Sequence, residues 1–379
     1  MIYFDNAATT FPKPEKVYEK ILYTMKNIGA NPGRGSHKMA INLAEEILST
    51  RIKIAKMINC DDEMNIVFTS GATESLNLAL KGLLNEGDHV ITTASEHNSV
   101  LRPLKALNLK GVSITVVPID LKGRVSLVDI EKEIKRNTKL VVINHVSNVL
   151  GTIQDINSIG ELCRRKEIIF LVDVCQSLGL LPIDIKKDNI DLLAFSGHKL
   201  LYGPQGIGGI YINPNICLKP LKEGGTGSYS NSMVQPEVIP DKFESGTLNC
   251  PGILGLGAGI DFINEIGINV IREKELNLCK LLLKELKKLP FIILYGIDNN
   301  LYRTGVVSFN IEGMDSSLTG NLLDNENIAV RTGYHCAPLI HSFIGTINKG
   351  TVRVSLGYFN EEEHIEVFIK ALKKIYKNI

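Results

Sequence analysis

Hydrophobic positions alternate between short continuous runs and helical spacing through the first two thirds of the chain. Residues 65–71 form an apolar, strand-like run, and residues 72–84 place leucines at the i, i+4, i+7, i+8 spacing of one helix face. Six further runs predict strands at 89–93, 113–117, 139–145, 168–173, 191–195 and 208–212. This alternation is typical of an α/β fold in which a mostly parallel, seven-stranded sheet is covered on both faces by helices.

The pattern changes after residue 253. A long helical segment from 254 to about 289 is followed by short strand-like runs and further helices. The strands are predicted near 292–294, 305–309, 329–331 and 351–355, and the last helix at 361–374. The sequence therefore predicts a large domain at 15–252 and a smaller α+β domain made from 1–14 and 253–379, with the long helix linking the two.

The composition is that of an ordinary soluble protein, with 44% hydrophobic and 22% charged residues in 379 positions. Basic and acidic residues nearly cancel, at 42 against 41, and no block of like charges points to nucleic acid or an anionic membrane as a partner. The N-terminus lacks a basic segment followed by an apolar run, and no apolar run approaches the ~20 residues that span a bilayer. We therefore expect a cytoplasmic protein.

Seven cysteines occur without a C-x-x-C pair. That spacing argues against a zinc site, so no metal is expected, and the number is too small for a disulfide scaffold. Most of these cysteines are therefore expected to be small buried hydrophobic residues.

Polar residues follow two of the predicted strands, where ligands of α/β sheets usually bind. Asp173 and Gln176 come at the end of one run, and Ser196, His198 and Lys199 follow the other in a glycine-flanked loop. Alone, such an aspartate is usually a helix cap or turn former, and such a lysine is usually solvated. Together at one sheet edge they suit pyridoxal phosphate, since the lysine can form a Schiff base and the carboxylate can keep the pyridine nitrogen protonated.

The segment TSGATESLNLAL joins a strand to a helix through small residues. The free N–H groups of Ala72 and Thr73, with the positive end of the helix, would bind the cofactor's phosphate. The alternative is a plain helix cap made by Thr73 or Ser70. The glycine spacing is not that of a dinucleotide-binding fold or a P-loop.

Eight motifs in sequence order carry a resemblance to a known family. They are YFDNAATT, SGATES, SEHNS, SNVLGT, VDVCQSLG, FSGHKLLYGPQGIG, ESGTLN and RTGYHCAP. In this order they resemble the cysteine desulfurases of the class V aminotransferase fold, a fold-type I pyridoxal-phosphate class, and the resemblance runs from Tyr3 to the C-terminal helix. The short stretch around Cys336 is similar to the second, Suf-type group, which also includes selenocysteine lyase-like enzymes.

The resemblance implies a role for each cofactor-site residue. Lys199 would form the Schiff base, Asp173 would pair with the pyridine nitrogen, and Gln176 would donate to the phenolic oxygen. His97 would stack on the ring and take part in catalysis, and Asn148 would lie near the ring and the substrate carboxylate. The phosphate would be held by Ala72, Thr73, Ser196 and His198. Thr247 would reach the phosphate from a neighbouring subunit, which implies a homodimer.

The resemblance also implies the reaction. Arg353 would bind the substrate carboxylate through a two-pronged pair. Cys336 would take sulfur from L-cysteine as a persulfide, leave L-alanine, and pass the sulfur to an acceptor protein or thiol, as in iron–sulfur cluster biogenesis. Arg331, His335 and His341 lie nearby in sequence, and a cation there would favour the reactive thiolate.

Three alternatives remain open from the sequence. A selenocysteine lyase would use L-selenocysteine and depend less on Cys336. An aminotransferase or isopenicillin epimerase-like enzyme would share the fold without needing a loop cysteine. A non-catalytic scaffold would bind no cofactor. This chain also departs from the usual motifs at Tyr334, at an extra leucine after Lys199, and at residues 224–241.

Overall fold

The structure is a computed structural model that describes residues 1–33, 35–296 and 300–377. Its strands form three sheets. They are β1 Ile2–Tyr3, β2 Ile66–Thr69, β3 His89–Thr93, β4 Ser113–Val117, β5 Thr138–Asn144, β6 Ile169–Asp173, β7 Leu192–Ser196, β8 Gly208–Ile212, β9 Ile292–Tyr295, β10 Val306–Ile311, β11 Ile328–Ala329, β12 Arg331–Gly333 and β13 Thr351–Ser355.

Helices cover these sheets and connect most of the strands. They are α1 Glu15–Asn27, α2 Lys38–Met57, α3 Ala72–Leu83, α4 Asn98–Asn108, α5 Leu127–Lys132, α6 Ile156–Arg165, α7 Cys250–Ile266, α8 Ile268–Leu286, α9 Ser316–Asn325, α10 Ile340–Phe343 and α11 Glu362–Lys377. The predicted leucine face of α3 is buried, as its spacing indicated.

The large sheet confirms the predicted α/β class. Its seven strands lie in the order β2-β8-β7-β6-β5-β3-β4, and β8 is antiparallel to both of its neighbours while the other pairs are parallel. Successive residues of β5 pack into two different core clusters, Leu140 and Val142 on one face and Val141 and Ile143 on the other. Burial on both faces explains why these strands appear in the sequence as continuous apolar runs.

The C-terminal part forms a smaller antiparallel sheet in the order β12-β13-β10-β9. Its core also receives Phe4, because β1 at the N-terminus pairs with β11. The predicted strand near 329–331 is divided into β11 and β12. The division of the chain into two domains at 15–252 and 253–379 with 1–14 stays a prediction.

The prediction of one continuous long helix after residue 253 is wrong. The structure breaks it at Gly267, whose φ of 90° ends α7, and α8 continues at an angle of 80° to α7. Glycine adopts this left-handed backbone region easily, whereas a residue with a side chain would be strained there. Within the described ranges no single helix is long and apolar enough to cross a membrane. The bent pair α7 and α8 would together be long and apolar enough, judged by length and composition alone.

The arrangement of the large sheet brings distant segments of sequence to one edge. The parallel strands β3, β5, β6 and β7 end on the same side, and β2 runs in their direction because two antiparallel pairings separate it from β7. The residues that follow these five strands therefore lie close together.

Candidate active site

A cavity of about 330 Å³ opens at this edge of the large sheet. The structure brings ten of the residues expected to bind cofactor or substrate to its lining. They are Ala72, Thr73, His97, Asn148, Asp173, Gln176, Ser196, His198, Lys199 and Arg353. Two of the expected residues, Thr247 and Cys336, do not line it.

One end of the cavity is formed by the N-terminus of α3. Gly71 is the N-cap residue, and no side chain caps the helix. The alternative of a plain cap by Thr73 or Ser70 is therefore wrong, and the carboxylate of Glu74 instead accepts bonds from the N–H and hydroxyl groups of Ser70. Because no side chain caps the helix, its first N–H groups remain suited to an anion.

The other end contains a fixed carboxylate at the end of β6. Asp173 accepts a bond from the N–H group of Cys175 at 3.0 Å, and the Gln176 amide donates to the carbonyl of Ala7 at 2.8 Å. Burial and the neighbouring Asp173 raise the pKa of the Cys175 thiol well above its usual range. Cys175 is therefore a neutral thiol in the cavity lining.

His97 begins α4 and is held by its own helix. Its Nδ1 accepts bonds from the N–H group of Ser99 at 3.0 Å and from the Ser99 hydroxyl at 2.8 Å. Burial, together with the charge of Lys199, lowers the pKa of His97 to about 4. The ring is therefore neutral near pH 7 and carries its proton on Nε2.

The loop that carries Lys199 is fixed by the N-terminal segment. The carbonyl of His198 accepts bonds from the N–H group of Thr10 at 3.1 Å and from the Thr9 hydroxyl at 3.1 Å. The Thr10 hydroxyl donates to the carbonyl of Lys199 at 3.0 Å. These bonds fix the backbone of Lys199 while its side chain faces the cavity.

Arg353 is only 1% exposed and already has two partners. Its Nη2 pairs with Asp5 at 2.6 Å, and its Nη1 donates to the carbonyl of Asn148 at 3.0 Å. The buried Nε has no partner among the described residues. Two of its five N–H groups are used by these partners, so donors including Nε remain for the expected two-pronged pair with a substrate carboxylate.

Cys336 lies in a turn beside the cavity and is half-buried. Arg331, which lines the cavity, donates from Nη2 to the Cys336 sulfur at 3.4 Å. The carbonyl of Cys336 accepts a bond of 2.7 Å from the N–H group of Asn98, and the Asn148 amide donates to the carbonyl of His335 at 2.7 Å. The turn is thus attached directly to the residues that surround His97.

Of the three basic residues expected near Cys336, only Arg331 supplies charge. Burial and the charge of Arg353 lower the pKa of His335 well below its usual range, and burial lowers the pKa of His341. His335 donates from Nε2 to the carbonyl of Thr351 at 3.1 Å. Both histidines are therefore structural at neutral pH, and of the three residues it is Arg331 that brings a positive charge to the Cys336 sulfur.

Thr247 is exposed and lies outside the cavity, where its hydroxyl accepts a bond from Asn31 at 3.4 Å. Its role in a neighbouring subunit stays a prediction. Within the described ranges no group of three or more histidine, cysteine or acidic side chains is arranged to hold a metal ion.

Several residues of this site had no role assigned to them by motif or spacing. Asp5 was visible only as part of a motif, and Cys175 only as a neighbour of Gln176. Glu96 is fully buried beneath the cavity, where its Oε1 accepts bonds from the Thr93 hydroxyl at 2.6 Å and the Asn144 N–H group at 3.1 Å. Burial, with the charge of Asp173 adding to it, raises the pKa of Glu96 to about 8. Its position before His97 was the one available signal.

Comparison with known proteins agrees with the geometry of this cavity. Residues 2–368 match the family model described as Aminotransferase class-V, so the chain belongs to that family. It is 38% identical to a probable cysteine desulfurase of Pyrococcus abyssi, with 100% of this chain and 95% of the relative covered. It is 36% identical to a probable cysteine desulfurase of Methanothermobacter thermautotrophicus, covering 99% and 94%.

A solved structure also supports the resemblance to cysteine desulfurases. The apo cysteine desulfurase from Thermococcus onnurineus NA1 superposes with a TM-score of 0.94 at 36% identity, covering 100% of this chain and 95% of that one. The resemblance inferred from the motifs is confirmed. The family is generally dependent on pyridoxal phosphate, and these relatives do not favour the lyase and aminotransferase alternatives.

Proposed function

We propose that this protein is a pyridoxal-phosphate-dependent cysteine desulfurase. It converts L-cysteine to L-alanine, holds the released sulfur as a persulfide on Cys336 and passes it to an acceptor. One observation carries the proposal above the others. Lys199 and Asp173 line one cavity, and the arginine at the edge of that cavity contacts the thiol of Cys336.

The lining of the cavity fits the cofactor. Buried polar atoms without a partner among the described residues include Nδ1 of His198 and Oδ1 of Asn148, both on lining residues. Such atoms normally have hydrogen-bond partners, so a polar ligand that reaches them would remove a cost. Lys199 would hold the cofactor covalently, and Asp173 would hold its ring nitrogen. The phosphate would lie on Ala72, Thr73, Ser196 and His198.

When bound, pyridoxal phosphate supplies an electron-accepting ring that allows the Cα–H bond of the substrate to break. Lys199 then acts as the base and holds the Cα proton at Nζ. Neutral His97, which lines the same cavity, would cover the ring and present its Nε2 proton. Arg353 binds the substrate carboxylate with the help of Asn148, and thereby orients the substrate sulfur.

Cys336 performs the sulfur transfer. Its sulfur, which Arg331 contacts, attacks the sulfur of the bound cysteine as the thiolate, the reactive form of a cysteine. An S–S bond forms and the Cβ–S bond breaks. The electron pair of the broken bond stays on the three-carbon fragment, which takes up a proton at Cβ, regains at Cα the proton held by Lys199, and leaves as alanine. The half-exposed position of Cys336 suits transfer of the sulfur to a thiol or acceptor protein.

The proposal extends to the oligomeric state and the cellular location of the protein. We propose a homodimer, in which exposed Thr247 contacts the phosphate of the neighbouring subunit. We also propose a cytoplasmic location, with no nucleic acid or membrane as partner, because the charges are balanced at 42 basic and 41 acidic residues.

The test compares two cysteines of the same chain. Cys336→Ala should keep the yellow colour of the bound cofactor but lose alanine and sulfide production from L-cysteine by about 10²-fold or more. Cys217→Ala, which changes an exposed free cysteine, should leave both unchanged. Lys199→Ala should lose the colour itself. Full activity of Cys336→Ala on L-cysteine would overturn the proposal, while activity only on L-selenocysteine would indicate a selenocysteine lyase.

A further inference from the structure

We propose that Lys13 is a cation of the phosphate site, in addition to bracing the loop that carries Lys199. This inference rests on the proposed function, because it assumes pyridoxal phosphate as the ligand. It assigns a binding role to a residue outside the cavity lining, through a charge that reaches the phosphate without touching it.

The position of Lys13 is fixed by two short hydrogen bonds. Its Nζ donates to the carbonyl of His198 at 2.6 Å and to the Thr10 hydroxyl at 2.6 Å. The side chain of the same His198 lines the phosphate end of the cavity together with Ser196. The ammonium group of Lys13 therefore contacts the backbone of a residue whose side chain lines the cavity.

The charge of Lys13 is not neutralised by an acidic partner. Among the described residues, no carboxylate forms an ion pair with it, whereas Lys16, three residues further on, pairs with Glu265. On the cavity side, Glu74 is already paired with Lys222 at 2.5 Å. A half-buried cation without a carboxylate is unfavourable unless an anion lies nearby.

The other basic groups of the cavity do not supply this charge. Burial and the charges of Lys199 and Lys13 lower the pKa of His198 to about 4, so His198 donates a hydrogen bond but is neutral. Arg353 pairs with Asp5, Arg331 contacts the sulfur of Cys336, and Lys199 loses its free ammonium when it holds the cofactor. A phosphate monoester carries about −1.5 to −2 charges at pH 7, so a nearby cation stabilises it.

The ionisation of Lys13 itself agrees with this role. Burial lowers the pKa of Lys13 to about 7, so its charged form is destabilised when no anion is near. A bound phosphate favours the charged form and would restore it. The two groups therefore stabilise each other.

The experiment compares two ligands that differ only in the phosphate. The full chain, freed of cofactor, is titrated with pyridoxal phosphate and with pyridoxal, and binding is followed by absorbance and by the melting temperature. Lys13→Met should weaken pyridoxal phosphate binding about tenfold and leave pyridoxal binding unchanged, because only the first ligand interacts with the lost charge. Lys13→Arg, which keeps the charge, should recover most of the affinity.

Two control variants separate charge from bracing. Thr9→Val removes a hydroxyl bond to the carbonyl of His198 but no charge and no contact with Lys13, so it should affect the binding of both ligands alike. Lys16→Met removes a partly exposed charge that is already paired with Glu265, and it should change the binding of neither ligand. Lys13→Gln, which keeps a hydrogen-bond donor, makes the same comparison if Lys13→Met does not fold.

The outcomes distinguish this inference from the proposed function. If Lys13→Met or Lys13→Gln lost affinity for both ligands equally, the inference would be overturned. Lys13 would then only hold the Lys199 loop in place. A wild-type chain that binds neither ligand would overturn the proposed function instead.

Discussion

The cavity wall and the Cys336 loop are built in different ways. The wall consists of the ends of β5, β6 and β7, where each strand is bonded on both sides by its neighbours. The Cys336 loop, residues 334–339, is held by a few single bonds, and both His335 and Cys336 have positive φ, at 49° and 59°. Such backbone costs about 1–2 kcal/mol per residue.

This difference corresponds to two tasks. Groups that hold a cofactor must stay fixed to within a fraction of an ångström, and strand ends in a buried sheet provide that precision. A thiol that collects sulfur at the cavity and delivers it to an acceptor must move, and a loop outside the sheet, held by single hydrogen bonds rather than by paired strands, is easier to displace than a strand end. Changes in the wall should therefore remove chemistry, and changes in the loop should weaken transfer while cofactor binding persists.

The largest effect is expected from a change in the wall. Asp173→Asn keeps the shape of the side chain but removes the charge that would hold the ring nitrogen protonated. Turnover should fall by about 10²- to 10³-fold, since this charge acts inside a buried site. Steady-state alanine production and the cofactor spectrum measure the two consequences. Asp155→Asn, at the exposed N-terminus of α6, should leave turnover unchanged, and an active Asp173→Asn variant would remove Asp173 from the mechanism.

A change at the junction of wall and loop should have a smaller effect. Arg331→Ala removes the cation that contacts and orients the Cys336 sulfur, so the sulfur becomes a poorer nucleophile. We expect about a tenfold loss of sulfide production and a similar loss in the rate of Cys336 alkylation at pH 7. Arg331→Lys should recover part of both rates. Unchanged alkylation in Arg331→Ala, with exposed Arg136→Ala as the control, would contradict this role.

The cavity wall and the Cys336 loop also differ in how much of their structure could be predicted from the sequence. The wall was predictable, because strands buried on both faces appear as apolar runs and the residues after them share an edge. The loop was not, since the contact between Arg331 and Cys336 and the neutrality of His335 depend on burial. The break at Gly267 was missed because both sides of it have helical periodicity. The pair between Asp5 and Arg353 joins residues 348 positions apart, and no local pattern reports it.

Loosening the loop should have a milder effect. Thr351→Val removes the hydroxyl that lies 2.9 Å from His335 Nε2, a loss of about 1 kcal/mol. We expect a few-fold fall in sulfide production with unchanged cofactor affinity, and faster hydrogen exchange confined to the loop. Thr346→Val is the matched variant, because it removes a similar hydroxyl contact to a histidine outside the loop, His341. Loss of cofactor in Thr351→Val would contradict the separation of the two regions.

The smallest effect concerns the stability of the wall at acidic pH. Burial lowers the pKa of His145, which adjoins the end of β5, to about 4, below the ~6.5 of an unfolded chain. The folded state therefore binds fewer protons, and stability is lost as the pH falls from 6.5 towards 4. Urea unfolding at pH 6.5 and pH 5 should differ by about 1–2 kcal/mol through this residue. His145→Gln should reduce that difference, and an identical difference would show that His145 does not contribute.

The central claim is that Cys336 receives the substrate sulfur. Treating the cofactor-loaded protein with L-cysteine in the absence of reductant, followed by mass spectrometry of its peptides, locates that sulfur directly. The account predicts one added sulfur atom on the peptide containing Cys336, and none on the peptides of the other cysteines. Sulfur on Cys175, or alanine produced without any sulfur on Cys336, would contradict it.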